Sequence, residues 1–248
     1  MRQIKMTLSV GLVFLLGLAL FGESPRSYAQ SAGFITSKPI SSWGTIVGTK
    51  DTVVNLSKGE VVYVQLQPGK AVKPGDRFTV LQLGQTIIHP VTKEEIGQLV
   101  TQPGELVILE GKDQIATAKI HESLKPILRG DHILTPAPVH AEAVPIRSLK
   151  KIEGRIIFSQ EGIENISSNE LVFIDRGSQD GVILGALFKI YQMSNDFDES
   201  LKEDPSRLPL SKVGKAVVVS VQDKTSAALI TLSSQAIRIG DQAISGPE

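Results

Sequence analysis

Short apolar runs that alternate with polar residues fill the chain between residues 44 and 244. In residues 60–66 and 77–81, apolar and often β-branched side chains fall on every second position, which is the period of a strand with one buried face. Pro-Gly and Gly-Asp turn signals separate the runs at short intervals. Helical periodicity is almost absent. The pattern predicts an all-β fold with about six or seven short strands per hundred residues, which is typical of small barrels or sandwiches.

The second half of the chain repeats the first at an offset of about 110 residues. Residues 60–64 match residues 170–174, and the register holds without a gap from residue 44 to residue 80. Further on, an apparent offset of 117 predicts one longer loop and one shorter hairpin in the second copy. The repeated positions are turn glycines and alternating apolar residues, so the duplicated object is a scaffold. We therefore predict two tandem small β-barrels.

This repeat divides the chain into segments. Residues 30–42 are polar with small residues and predict a flexible N-terminal arm, followed by a first barrel over residues 43–136. Residues 137–151 are rich in Pro and Ala and indicate a semi-rigid linker. An added edge strand on one barrel is the alternative interpretation of this segment, because Pro is tolerated at sheet edges. The second barrel is expected over residues 152–246.

Residues 1–29 have the layout of a secretory signal peptide. Arg2 and Lys5 form a positive start, residues 6–21 are apolar, and small residues precede a cleavage site after Ala29. A membrane anchor is the alternative, but the apolar run is shorter than the roughly 20 residues that span a bilayer. The sequence thus predicts export to the periplasm and a mature chain that does not span the membrane. The absence of Cys excludes disulfides and a lipid anchor on cysteine.

The charge of the chain argues against two classes of binding partner. The whole chain has 26 basic and 26 acidic side chains. Cleavage after residue 29 would leave a slightly acidic mature chain, and the sequence shows no basic stripe. Nucleic acid and anionic membrane surfaces are therefore not expected as partners.

No residue pattern predicts catalysis or a cofactor. The sequence lacks the nucleophile, phosphate-loop and dinucleotide motifs. Its histidines, at positions 89, 121, 132 and 140, do not have the spacing of a metal-binding pair. Gly-Asp pairs could be read as a carboxylate site, but they are better interpreted as turns in which Gly supplies a positive φ and Asp bonds the backbone. These structural turn residues are Gly75, Asp76, Gly130, Asp131, Gly185, Gly240 and Asp241.

Three further groups of residues receive a predicted role. Phe78 and Phe188 occupy equivalent positions after a turn glycine and are predicted core anchors. Trp43 is the candidate platform for stacking a sugar ring. The segment 195–205, here called the acidic loop, lacks the ligand spacing of a calcium loop and is the candidate protein-binding site. Its acidic residues are Asp196, Asp198, Glu199, Glu203 and Asp204.

Three segments carry a resemblance to known envelope proteins. They are Gly-Glu-Val-Val-Tyr-Val at 59–64, Val-Lys-Pro-Gly-Asp-Arg-Phe-Thr-Val at 72–80 and His-Pro-Val-Thr-Lys-Glu-Glu-Ile-Gly at 89–97. They are similar to the β-rich C-terminal region of bacterial envelope proteins that carry a LysM domain, and to the C-terminal domain of flagellar assembly protein T. The resemblance implies envelope proteins, flagellar basal-body components among them, or peptidoglycan as partners.

Together, these features predict a non-catalytic periplasmic scaffold or accessory protein of the cell envelope that binds a protein partner through its barrel loops. The alternative is a carbohydrate-binding module that recognises peptidoglycan. Dependence of binding on the acidic loop or on Trp43 would distinguish the two hypotheses.

Overall fold

The computed structural model describes residues 32–50, 55–136, 143–193 and 209–247. Apart from one short 3-10 helix at Ser178–Asp180, its regular elements are strands. The strands are β1 Phe34–Thr36, β2 Gly44–Thr49, β3 Val61–Leu66, β4 Arg77–Ile88, β5 Glu95–Lys112, β6 Ile115–Ser123, β7 His132–Leu134, β8 Ile152–Ser159, β9 Leu171–Ile174, β10 Leu187–Met193, β11 Leu210–Val221, β12 Ser226–Ser233 and β13 Gln242–Ser245.

The strands form two barrels with the same topology. In the second barrel, the closed order is β10-β11-β12-β9-β8-β13. In the first barrel, β5 pairs with both β4 and β6, which closes the ring β4-β5-β6-β3-β2-β7. Each strand of the second ring has its counterpart at the same place in the first. The predicted all-β fold of two tandem small barrels is confirmed.

The residue offset between the two copies stays at 110 in the hairpins β4–β5 and β10–β11, where the sequence predicted a change to 117. Arg77 faces Val107 in the first barrel, and Leu187 faces Val217 in the second, so both strands of this hairpin keep one spacing. The offset of 117 inferred for this region is therefore wrong. Leu83 faces Val100 and Met193 faces Leu210, so the chain segments between these paired positions have the same number of residues in the two copies.

The pair Pro103-Gly104 has the sequence of a turn but lies inside the long strand β5. The register between β4 and β5 shifts here, so the extra residue is accommodated in a bulge. A Cβ atom on Gly104 would lie 2.1 Å from the carbonyl oxygen of Glu122, and one on the equivalent Gly214 would lie 2.7 Å from that of Leu232. Glycine is needed at both positions because two backbones meet closely.

Each barrel encloses its own apolar core. Phe78 is buried in the first core, and Phe188 is buried in the second. Alternation explains both cores, since every second side chain of a barrel strand points inward. The aliphatic residues Ile46, Val64 and Ile120 of the first core have the equivalents Ile156, Ile174 and Ile230 in the second.

The two segments outside the barrels are more ordered than a flexible arm and a free linker. In the predicted arm, β1 pairs with β5, with Phe34 facing Val100, and Ile35 is buried. Its apolar residues Ala32 and Ile35 pack in an apolar cluster with residues of the second barrel. In the predicted linker, Ile146 forms a parallel bridge with Ala186. This part of the segment therefore adds an edge to the second barrel, while residues 137–142 lie outside the described chain.

We expect Gly185→Ala to destabilise the protein more than Gly75→Ala. Both glycines have a positive φ, 82° at Gly185 and 92° at Gly75, which costs an alanine about 1–2 kcal/mol. A Cβ atom on Gly185 would also lie 2.0 Å from the carbonyl oxygen of Val144, whereas one on Gly75 would meet no atom within 4 Å. Denaturant unfolding of both variants measures the difference. Equal losses of unfolding free energy in the two variants would show that the backbone around Val144 shifts to make room for the added Cβ atom.

Candidate binding faces

A third apolar cluster lies between the barrels and joins them. The first barrel supplies β1 and the extended β4–β5 hairpin, through residues such as Ile35, Ile87 and Leu99. The second barrel supplies an outer surface, here called the covered face. Its residues are Ile157, Leu171, Phe173, Val217, Val219, Ala227 and Leu229.

The covered face leaves a clear trace in the sequence. All four residues of β9 are buried, and so are the first five of β12. A strand that is buried on both faces reads as a continuous apolar run, whereas a strand with one solvated face alternates. In the first barrel, β3 alternates between buried and partly exposed positions. The two copies therefore differ in whether their outer surface is covered.

The matching surface of the first barrel, here called the open face, is not covered by any residue that the structure describes. Val47 is 49% exposed, whereas its equivalent Ile157 is 2% exposed, and both lie where the register of their strand shifts. The open face keeps much of the apolar character of its counterpart. Its residues are Val47, Val61, Tyr63, Val107, Leu109, Thr117 and Lys119.

Cross-strand rows show how the two faces diverged. The covered face has a fully apolar row across four strands, which consists of Leu171, Leu229, Val217 and Leu187. The equivalent row of the open face consists of Val61, Lys119, Val107 and Arg77. Lys and Arg side chains can lay their aliphatic stems over apolar neighbours while their charged groups reach water. This row thus combines apolar contact area with Lys119 and with Arg77, whose Nη1 atom lies 4.0 Å from a carboxylate oxygen of Glu105.

A polar contact accompanies the apolar cluster between the barrels. The Nδ1 atom of His89 accepts hydrogen bonds from the backbone N–H groups of Val91 (3.1 Å) and Thr92 (3.0 Å). The ring proton is therefore assigned to Nε2, which donates to Oδ2 of Asp175 at 3.2 Å. Because both ring nitrogens are engaged, this histidine holds the hairpin tip against the second barrel.

Asp175 is the centre of this contact. Its side chain is only 12% exposed. Its Oδ1 atom accepts from the backbone N–H of Arg155 at 2.6 Å, and its Oδ2 atom also accepts from Nη1 of Arg176 at 2.9 Å. A buried carboxylate is tolerated when its oxygens are satisfied in this way. Loss of one partner of this contact would leave the other polar group buried and without its hydrogen bond, which is costly.

A cleft of about 540 Å³ adjoins this contact. Arg155, Arg176 and Lys224 line it together with acidic side chains of both barrels, so its charge is mixed. One of these acids, Glu153, has its pKa lowered by the hydrogen bond and charge of Lys151. In the part of the chain that the structure describes, no group of three or more His, Asp or Glu side chains is placed to share a metal ion.

Trp43 packs at one end of the first barrel. Its ring lies 5.4 Å from that of Phe78, centroid to centroid, and it packs against the first core. The Nζ atom of Lys70 lies 4.6 Å from the centre of the Trp43 ring, which is cation–π geometry. A sugar would have to displace Lys70 to stack there. The role of a sugar platform stays a prediction, while the geometry gives Trp43 a packing role.

The predicted turn residues occupy equivalent turns in the two barrels. Gly130 and Gly240 have φ values of 94° and 99°. In the first barrel, Asp131 Oδ2 accepts from the backbone N–H of Leu128 at 2.8 Å, and in the second, Asp241 Oδ2 accepts from that of Arg238 at 2.8 Å. These aspartates close the turns. Asp76 does the same for the turn at Gly75 by accepting from Lys73 N, whereas Gly185 is followed by Ala186.

Burial raises the pKa values of Asp131 and Asp241 above their ordinary 3.8, and hydrogen bonds from the backbone and from Gln82 or Gln192 oppose this shift. A carboxyl whose pKa is higher in the folded state favours folding while it is protonated. Its contribution is therefore complete below pH 3.8 and is lost as the pH rises through the raised value. The structural reason to keep aspartate is the turn hydrogen bond.

We expect Asp131→Ala to lower the free energy of unfolding by about 1–3 kcal/mol, because the backbone N–H of Leu128 loses its acceptor. Asp131→Asn keeps an acceptor oxygen and removes the charge. This variant should therefore lose little stability at neutral pH and show a flatter decline above pH 3.8. Urea unfolding between pH 3 and pH 7 measures both effects. An equal loss for Asn and Ala would argue against the turn hydrogen bond.

The sequence does not predict the contact between His89 and Asp175, because these residues lie in different copies. The equivalent of Asp175 in the first barrel is Gln65, so the pair is not repeated. The acidic residues of the acidic loop lie outside the described residues, and their predicted role in partner binding stays a prediction.

Comparisons with known proteins add little about function. Within the described ranges, no helix has the length and apolar character needed to cross a bilayer. No protein-family model matches the chain. An uncharacterized protein of Aquifex aeolicus (strain VF5) is 30% identical over 132 residues. The match covers 51% of this chain and 22% of the relative, so the chain spans well under two thirds of that protein's length.

Proposed function

We propose that this chain is a non-catalytic scaffold of the bacterial cell envelope, exported to the periplasm, which binds a protein partner. The observation that carries the proposal is the packing of the two barrels against each other. An apolar cluster and the buried His89–Asp175 contact join the second barrel to the first. A scaffold requires such a fixed body because it presents its loops at constant spacing and orientation.

The pairing also explains why the duplicated unit was kept. One copy uses its outer surface to hold the tandem together, and the other leaves the equivalent surface available. The repeated positions supply packing and turns, whereas surface positions such as Lys119 and Arg77 have Leu229 and Leu187 as their equivalents. Surfaces that differ between duplicated units are where a new partner is accommodated. The apolar start of the chain and the resemblance to envelope proteins support a place in the periplasm.

The proposal is tested by binding of the purified exported chain to envelope extract, with purified peptidoglycan as a parallel target. Neutralising all five acidic residues of the acidic loop to their amides should slow association with the protein partner, most at low salt. Thermal stability should remain nearly unchanged, since charges at a solvated surface contribute little.

Trp43→Ala is the matched variant for the sugar-binding alternative. A scaffold predicts that this variant still binds its protein partner once the barrel is shown to be folded. Loss of peptidoglycan binding in Trp43→Ala, with no effect of the acidic-loop variant, would contradict the scaffold proposal and support a carbohydrate-binding module. Export is checked separately by fractionation of cells that produce the full chain.

A further inference from the structure

We propose that a small pocket on the second barrel binds an acidic segment of a protein partner and takes up one apolar side chain of that segment. The inference rests on the proposed function, because it names the chemistry of the scaffold's partner. The pocket, here called the basic pocket, has a volume of about 140 Å³ and lies over strands β10, β11 and β13. The residues that define it are Arg147, Leu187, Lys189, Lys212, Lys215 and Ile244.

The basic pocket combines apolar surface with a positively charged rim. Leu187 and Ile244 are half-buried, whereas Arg147, Lys212 and Lys215 are exposed. None of the described residues that line the pocket is acidic. Basic side chains can lay their aliphatic stems along apolar surface while their charged groups stay in water. The pocket therefore suits a ligand in which negative charges surround an apolar group.

Three of the four basic residues are available to an anion. Among the residues that the structure describes, Arg147, Lys212 and Lys215 have no acidic partner. Lys189 already has an interaction partner, so the inference does not rest on this lysine. The whole chain has 26 basic and 26 acidic side chains, so the excess of positive charge is local to the pocket. Such a charge attracts an acidic partner and orients it.

Strand register shows that this charge belongs to the second copy alone. One row across β13, β10, β11 and β12 consists of Ile244, Lys189, Lys215 and Leu232. The equivalent row of the first barrel consists of Leu134, Thr79, Glu105 and Glu122. Like charges directly opposite each other on neighbouring strands are destabilising. A bound anion offsets the repulsion between the two lysines, which favours a binding role for this row over a packing role.

The size of the pocket favours one side chain of a protein over a free small molecule. Sites for small molecules enclose about 300–1,000 Å³, whereas the basic pocket encloses about 140 Å³. A side chain that fills a pocket anchors an interface, and charges around it steer the approach of the partner. An apolar residue with Asp or Glu on both sides has the required chemistry.

Nuclear magnetic resonance titration of the isotope-labelled exported chain with the capped peptide Asp-Glu-Leu-Glu-Asp tests the inference. Backbone amide signals of residues 187–189, 212–215 and 244–246 should shift, and less so as salt is added. Lys212→Glu combined with Lys215→Glu should raise the Kd of the peptide at least about tenfold. The matched control, Lys112→Glu combined with Lys119→Glu, makes the same change of charge at exposed positions of the first barrel and should leave the Kd nearly unchanged.

Thermal unfolding checks that the basic-pocket variant is folded. Lys215→Glu places an opposite charge across from Lys189, so the variant should be at least as stable as the unmodified chain. Two altered peptides test the ligand without any change in the protein. Asp-Glu-Ser-Glu-Asp lacks the apolar anchor and Asn-Gln-Leu-Gln-Asn lacks the charge, and each should bind at least about tenfold more weakly.

Four outcomes would overturn the inference. The first is equal binding of the three peptides, or signal shifts only at other residues. The second is that isocaproate, a free carboxylate with the same apolar group, binds as tightly as the peptide, which would make the pocket a small-anion site. The third is binding of phosphatidylglycerol vesicles that is lost in the Lys212→Glu, Lys215→Glu variant, while the unmodified chain binds no peptide. The fourth is an envelope protein captured equally by this variant and the unmodified chain, which would still uphold the proposed function.

Discussion

Phe173→Ala should lower the free energy of unfolding by about 3–5 kcal/mol, the cost of replacing a buried Phe in a packed core. This ring lies outside the second barrel, yet it is fully buried because the first barrel covers it. The loss should therefore come from the contact between the barrels. Chemical denaturation followed by circular dichroism measures it.

Tyr63→Ala is the matched control for this prediction. Tyr63 occupies the equivalent position on the open face and is partly exposed. Tyr63→Ala should lower the free energy of unfolding much less than Phe173→Ala does, although the Tyr63 ring packs near Gly48. Equal costs at the two positions would contradict the difference between the covered and the open face. A small cost at Phe173 would show that the barrels do not depend on their contact.

Phe78→Ala and Phe188→Ala should each cost about 3–5 kcal/mol, because both rings are buried inside a barrel. Trp43 is the only tryptophan of the chain and packs on Phe78, so its fluorescence reports on the first barrel. Phe78→Ala should change that fluorescence in the folded state, and Phe188→Ala should not. A cost below about 1 kcal/mol at either position would place that ring at the surface instead of in a core.

The repeat and the strand pattern could be predicted from the sequence because they depend on local chemistry. Alternation of apolar residues marks strands with one solvated side, and Gly-Asp pairs mark turns whose geometry requires a positive φ. Residues 60–66 and the turn at Gly130 are examples. The same strand and turn pattern occurs in both copies and predicts one barrel in each. The structure confirms these two barrels.

The individual residues that meet between the barrels could not be predicted, since they depend on which surfaces meet in space. His89 and Asp175 are 86 positions apart, and neither sequence neighbourhood indicates the other. The pair Pro103-Gly104 is a related case. In isolation this pair favours a turn, but it lies in a bulged strand where neighbouring backbones come close.

The sequence of the second copy carries a signal that its outer surface is covered. The continuous apolar runs of β9, β11 and β12 break the alternation seen in the first copy. Such runs indicate that a strand is buried on both faces. Read in this way, they predict that the second barrel is covered by another part of the chain. The apolar residues Ala32 and Ile35 in the predicted flexible arm would then be candidates for part of that cover.

The most direct test of this account compares thiol labelling at Ile157→Cys and Val47→Cys. The chain has no cysteine, so each variant carries one thiol, and the two positions are equivalent in the two barrels. In dilute solution, the account predicts rapid labelling at position 47 on the open face and strong protection at position 157, which is 2% exposed. Similar labelling rates in the two folded variants would contradict the claim that the first barrel covers the second while its own equivalent face stays open.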